Sequence, residues 1–187
     1  PPAGTRVIHR IIGTEHLAPA VALAKRAAAL TAPAPSLRDN EDVPAALRRE
    51  ILGRFCRHDS SRNSAGELRK GFREINDPRD APGAIHPLLR THPRTHRNCL
   101  FLGRRHNAYI LGLPLDESEE LLDRLWAHAT QERFTWYQKW KVGDLVMWDN
   151  CCTMHRRDSF DPNSRRLMHR TQIKGDKPFF DPATECA

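Results

Sequence analysis

The chain has 187 residues, 39% of them apolar and 28% charged, with 30 Lys+Arg against 23 Asp+Glu for a formal charge of +7. That length fits a single domain with a sizeable core, and the basic lean suits an anionic ligand without selecting one. No apolar run approaches the ~18 residues of a membrane span, and the first residues show no basic segment leading into an apolar one. The expectation is therefore a soluble, cytoplasmic protein with no membrane partner. The five cysteines contain no Cys-x-x-Cys pair, which excludes a zinc ribbon or thioredoxin-like motif and fits a reducing compartment. Cys151-Cys152 could suggest a thiol nucleophile or a metal ligand, but in an extended segment they would point to opposite faces, and the favoured reading is structural.

In chain order, residues 18–30 are Ala-rich and helix-permissive, and the Pro-broken run 31–36 reads as a connector. Pro44 suits the first turn of a helix whose apolar stripe is Leu47, Ile51, Leu52 and Phe55. Residues 57–83 are polar and read as a loop, either an active-site cover or, the favoured reading, a surface excursion. Short apolar runs then follow at the spacing of antiparallel strands: Leu88 to Thr91, Cys99 to Gly103 and Ala108 to Leu111, the first two joined by a polar turn at 92–97. A helix interrupts them, with Asp116 as N-cap, Glu119 three residues on, and a buried face of Leu121, Leu122, Leu125, Trp126 and Ala129. Beyond it Phe134, Trp136 and Trp140 share a strand face. Val142-Gly143-Asp144 turns the chain, and Leu145 to Trp148 forms a strand. After a turn at 161–164, Leu167 to Ile173 forms the last strand. The pattern predicts a mainly β fold with flanking helices, a jelly roll or a related barrel-like sandwich.

Chemistry concentrates near position 155. The segment Trp148-Asp149-Asn150-Cys151-Cys152-Thr153-Met154-His155 leads through a turn to Arg165-Arg166-Leu167-Met168-His169-Arg170. Neutral imidazole is a common transition-metal ligand, and a guanidinium fork grips a carboxylate. By spacing alone, a satisfied structural histidine and a solvated Arg-rich edge account for the same residues.

The motifs Val142-Gly143-Asp144-Leu145-Val146-Met147-Trp148-Asp149-Asn150, Thr153-Met154-His155-Arg156 and Arg165 to Arg170, with Gly175-Asp176-Lys177-Pro178-Phe179, closely resemble the C-terminal signature of the TauD/TfdA family of Fe(II)- and 2-oxoglutarate-dependent dioxygenases. The resemblance extends upstream through His128 to Gln131, Gly112 to Pro114 and His86 to Pro93, and is best over residues 86–180. It implies a double-stranded β-helix, a cupin-like jelly roll, in one incomplete 2-oxoglutarate dioxygenase domain over residues 1–187, and oxidative decarboxylation of 2-oxoglutarate coupled to hydroxylation of a small, anionic organic substrate. Position by position, it implies that His155 binds the iron, that Arg166 pairs with the far carboxylate of 2-oxoglutarate, and that Arg170 contacts the substrate anion. Such a metal site leaves open positions for cosubstrate and dioxygen. Homo-oligomerisation is left open.

The match departs from the family upstream. The family's other two iron ligands come from a His-x-Asp or His-x-Glu motif, and none of the ten histidines is followed two residues later by an acid. His9 is nearest by position, with Ile11 where the acid belongs, and His58-Asp59 has the wrong spacing. The Gly-Gly-Asp/Asn-Thr stretch that contributes to 2-oxoglutarate binding is absent as well. Two readings follow: the sequence omits segments of the family's domain, which is the favoured expectation, or the chain is a non-catalytic jelly-roll relative that binds a small anion without iron. A nucleic-acid partner is not expected, because Trp136 and Trp140 read as core and the arginines are not interleaved with exposed rings.

Overall fold

The computed structural model describes residues 43–63, 66–103, 106–141, 144–157, 163, 167, 169 and 171–185, together with the backbone of 5–8. The elements are β1 (Thr5–Ile8), α1 (Ala45–Ile51), β2 (Phe55–Arg57), β3 (Ile85–Pro87), β4 (Leu89–Thr91), β5 (Asn98–Leu100), β6 (Tyr109–Ile110), α2 (Leu115–Ala129), β7 (Trp136–Gln138) and β8 (Met154–Arg157). Single 3-10 turns occupy Pro78–Asp80, Glu132–Phe134 and Pro182–Glu185. All ladders among the described strands are antiparallel. The expected helix at 18–30 and connector at 31–36 lie outside the described residues. Among those described, no helix is long and apolar enough to cross a membrane.

The chain forms two compact units, Pro1–Arg38 with Glu132–Ser164, and Asp39–Gln131 with Arg165–Ala187. The first contains a three-stranded sheet in the order β7-β1-β8, with Val7 opposite Trp136 on one side and His155 on the other.

The second unit contains the sheets β3-β2-β6 and β4-β5, together with α1 and α2. Ile51, Cys56, Leu88, Ile110, Leu122 and Leu125 are fully buried in it. Each buried aliphatic side chain contributes about 1.5–3 kcal/mol by leaving water. Helix α2 is fixed against β6 by the buried Ser118 hydroxyl, which accepts the Ile110 N–H at 2.9 Å. It stops at Thr130, whose N–H and hydroxyl both donate to the Trp126 carbonyl, at 3.0 and 2.7 Å.

The hairpin of β4 and β5 forms where the sequence places it, with Leu89 opposite Leu100 and Thr91 opposite Asn98. Its turn uses His96 at φ 57° and a buried His92 whose Nδ1 accepts the N–H groups of Arg94 and Thr95, at 3.2 and 3.1 Å.

Several expectations are corrected. Helix α1 ends at Ile51, because Gly53 takes φ 70° and redirects the chain. Leu52 and Phe55 are therefore exposed, and Phe55 starts a strand instead of extending a helical stripe. The α2 N-cap is Pro114, not Asp116, which lies in the first turn, where its charge complements the helix dipole. Loop 57–83 is anchored, not merely superficial: the Asp59 carboxylate, 1% exposed, accepts the Ser61 N–H (2.7 Å), the Ser61 hydroxyl (2.9 Å) and Asn107 Nδ2–H (3.3 Å).

In the first unit, Phe134, Trp136 and Trp140 do not share a strand. Phe134 belongs to a 3-10 turn, and β7 ends at Gln138, because Asp144 gathers the Lys141 N–H and Gln138 Nε2–H into a turn. Trp136 and Trp140 are half-buried, not fully enclosed. Leu145 to Trp148 is not a strand either, since it is caught between that turn and the next one at Asp149. Cys151 and Cys152 lie within the second turn, so strand alternation does not govern them. Of the expected strand 167–173, the described residues carry no regular structure, and Leu167 and Ile173 are more than 70% exposed.

Candidate metal-ligand neighbourhood around His155

His155 lies on β8, delivered by a turn that the Asp149 side chain organises. Asp149 Oδ1 accepts the Cys151 N–H at 2.7 Å, and its carbonyl accepts the N–H groups of Cys152 (3.3 Å) and Thr153 (3.0 Å) as well as the Thr153 hydroxyl. An aspartate that bonds the backbone two residues on is a recurrent turn former. The buried Thr153 closes the turn, and the chain then pairs with β1, placing His155 opposite Val7. The imidazole is exposed, and its ring centroid lies 5.1 Å from the Trp148 ring at an interplanar angle of 49°. The indole N–H donates to Asn150 Oδ1 at 2.8 Å. A solvent-facing imidazole can offer a nitrogen to a divalent transition metal.

An imidazole is a donor of the kind that a ferrous ion could use. The 187 residues contain no His-x-Asp or His-x-Glu pair, so the further donors a facial triad needs are not supplied in that pattern. Arg166, Arg170 and His9 lie outside the described residues. His58 and Asp59 do not converge on a site: the Asp59 carboxylate turns into its own loop, while His58 packs by its ring.

A second grouping of ionisable side chains lies in the unit that holds β2, β3 and β4. The His58 and His86 rings meet edge to face at 4.9 Å, and both touch Phe101, with centroids 5.4 and 5.3 Å away. The Arg90 guanidinium, itself buried, lies 4.9 Å from the Phe101 centroid. Burial lowers the His86 pKa from its usual 6.5, and the neighbouring charges of Arg90 and Lys177 lower it further. Close ring-on-ring packing makes this a folded core of aromatic and cationic groups. Sequence reading missed it, because β2 and β3 were not recognised as neighbours. It also missed the contact between the Trp148 and His155 rings and the Trp148–Asn150 hydrogen bond, although an Asp-Asn turn signal before the histidine could have pointed to the turn.

Comparison with known proteins agrees on one family. The sequence profile described as "Taurine catabolism dioxygenase TauD, TfdA family" matches residues 39–172. The alpha-ketoglutarate-dependent 2,4-dichlorophenoxyacetate dioxygenase of Burkholderia sp. (strain RASC) is 37% identical over 137 residues, covering 72% of this chain and 45% of that protein. Pentalenolactone F synthase of Streptomyces arenae is 39% identical over 101 residues, covering 54% of this chain and 34% of the relative. This chain therefore spans less than half the length of either. Among solved structures, AAD-2 in complex with Mn(II) and N-oxalylglycine aligns with a TM-score of 0.65 and 28% identity, over 95% of this chain and 60% of that one.

Proposed function

Because the chain belongs to the TauD/TfdA family, we propose that it is part of an Fe(II)- and 2-oxoglutarate-dependent dioxygenase that hydroxylates a small organic anion. The observation that carries this reading is the family match over residues 39–172, which takes in the turn and strand presenting His155 to solvent. Bound iron with 2-oxoglutarate and dioxygen would supply the oxidising chemistry, releasing succinate and carbon dioxide. His155 supplies one imidazole nitrogen to the metal. Arg166 holds the distal carboxylate of the cosubstrate through its planar fork, and Arg170 meets the substrate's anionic group. The excess of basic residues supports an anionic substrate, and the 2,4-dichlorophenoxyacetate relative suggests an aryloxy carboxylate as the first compound to try. The fold of this proposal is a double-stranded β-helix, with residues 1–187 forming one incomplete catalytic domain. Five cysteines without a Cys-x-x-Cys pair support a cytoplasmic location.

One observation favours a second reading, a family member that binds an anion without iron: no His-x-Asp or His-x-Glu pair is present. A single assay separates the two. With Fe(II), ascorbate, 2-oxoglutarate and 2,4-dichlorophenoxyacetate, the protein is expected to release succinate, and His155→Ala to abolish that release. Binding of 2-oxoglutarate with no succinate formed under any of these conditions would establish the second reading and overturn the first.

A further inference from the structure

We propose that Cys151 and Cys152 form a chelating site for a trivalent arsenical, the two sulfurs closing on one arsenic atom. The site stands apart from the reading of His155 as a ligand, since it needs no other donor. Both residues belong to the turn that precedes β8, both are half-exposed, and both sulfurs are thiols. In an extended segment, adjacent side chains leave opposite faces of the strand. Here the Asp149 carbonyl accepts the N–H groups of Cys152 at 3.3 Å and Thr153 at 3.0 Å, and Asp149 Oδ1 accepts the Cys151 N–H at 2.7 Å. Bonds from the third and fourth residues onward to one carbonyl wind the backbone as in a helical turn, where successive side chains diverge by about 100° and not 180°. The turn thus removes the separation that strand alternation would impose, and each cysteine has one torsion with which to aim its sulfur.

The ligand class follows from how thiolates bind soft centres. A tetrahedral zinc takes four donors, of which two adjacent cysteines are half. Copper(I) and mercury(II) favour two thiolates on opposite sides, which residues joined by one peptide bond reach poorly. Trivalent arsenic holds its sulfurs at close to a right angle, so neighbouring cysteines suit it. The step balances without an oxidant: two S–H bonds and the arsenic–oxygen double bond of an organic arsenoxide break, two arsenic–sulfur bonds form, and one water carries away the oxygen and both protons. Arsenic stays trivalent throughout. Thiol hydrogen bonds, such as the 3.9 Å contact from Cys152 Sγ to the Asp149 carbonyl, are weak and yield to covalent bonding. Cys56 and Cys99 are buried and far apart along the chain, so neither belongs to a comparable pair.

The test uses the full chain, reduced and freed of reductant, with phenylarsine oxide as probe and intact mass as readout. One arsenical per chain is expected, retained against excess monothiol and released by ethanedithiol. Cys151→Ser and Cys152→Ser should each weaken binding by roughly a hundredfold, the low end of the gain when a second bond forms within one molecule. Cys56→Ser, Cys99→Ser and Cys186→Ser should leave the adduct in place. Where a serine variant fails to fold, digestion of the wild-type adduct decides: arsenic on the tryptic peptide 142–156 supports the site, and arsenic elsewhere overturns it. Unchanged affinity in Cys151→Ser or Cys152→Ser, or ready loss of the adduct to a monothiol, would equally overturn the proposal. None of these outcomes depends on succinate release, so failure here leaves the proposed function to its own assay.

Discussion

Thr91 and Asp181 are joined directly: the Asp181 N–H donates to the Thr91 hydroxyl at 2.8 Å, and that hydroxyl donates to Asn98 Oδ1 at 2.7 Å across the β4-β5 ladder. The Thr91 N–H also donates to the Phe179 carbonyl at 2.8 Å. A fully buried threonine thereby couples a hairpin to a distant segment. Thr91→Val keeps the shape and removes the hydroxyl, leaving the Asp181 N–H and Asn98 Oδ1 each short of a partner. The expected loss is about 1–3 kcal/mol in urea unfolding, with Thr91→Ser close to wild type. A Val variant as stable as the wild type would remove the hydroxyl from the account.

Gly103 lies against a histidine ring. A Cβ there would come within 2.2 Å of Cγ and Nδ1 of His58, far inside contact distance. Gly103→Ala should cost about 1–3 kcal/mol by forcing the ring aside. Truncating the ring in a Gly103→Ala/His58→Ala double variant should make the added methyl nearly neutral against His58→Ala alone, a coupling read from a double-mutant cycle. Additive losses would argue against the contact.

The His86 pKa is lowered in the folded chain, first by burial and then by Arg90 and Lys177. The unfolded state then takes up a proton near pH 6.5, while the folded state stays neutral to lower pH. His86 therefore imposes no penalty above that pH, and stability falls as the pH drops below it toward the folded value. Denaturant titrations at stepped pH should show this decline, and it should shrink in His86→Gln. An identical pH profile in the variant would show that His86 does not drive it.

The corrected end of helix α1 makes a contrast between neighbours. Ile51 is fully buried and Leu52 is 48% exposed. Ile51→Ala should cost about 2–5 kcal/mol through lost burial and a cavity, and Leu52→Ala no more than about 0.5 kcal/mol. Comparable losses at the two positions would restore the continuous apolar stripe that the sequence suggests.

What the sequence made legible divides along physical lines. Helix α2 was readable because Leu121, Leu122 and Leu125 recur at helical spacing over a long segment, and the β4-β5 hairpin because a polar turn separates two apolar runs. Strands β2 and β3 were hidden. Phe55 fell on the extrapolated helical stripe, and Ile85-His86-Pro87 ends in a proline that argues against a strand. Their pairing, Cys56 opposite His86, is a long-range choice that local pattern does not encode. Leu145 to Trp148 looked like a strand because its composition is apolar, but two aspartate-centred turns leave it too little length. His155 was chosen through family resemblance, since one histidine has no periodicity to reveal it. The Trp148 contact depends on how the turn closes.

The tie between Thr91 and residues 179–184 also bears on how the protein is made. Asn98 Nδ2 donates to the Thr184 hydroxyl at 2.8 Å, so the hairpin formed in the middle of the chain is fastened from a segment translated some ninety residues later. On the ribosome, that hairpin must wait with these buried polar groups only partly satisfied until the later segment emerges. Such late closure of distant contacts is slow and leaves the nascent chain exposed to misassembly, so synthesis speed and chaperone supply, not intrinsic stability alone, should govern its soluble yield.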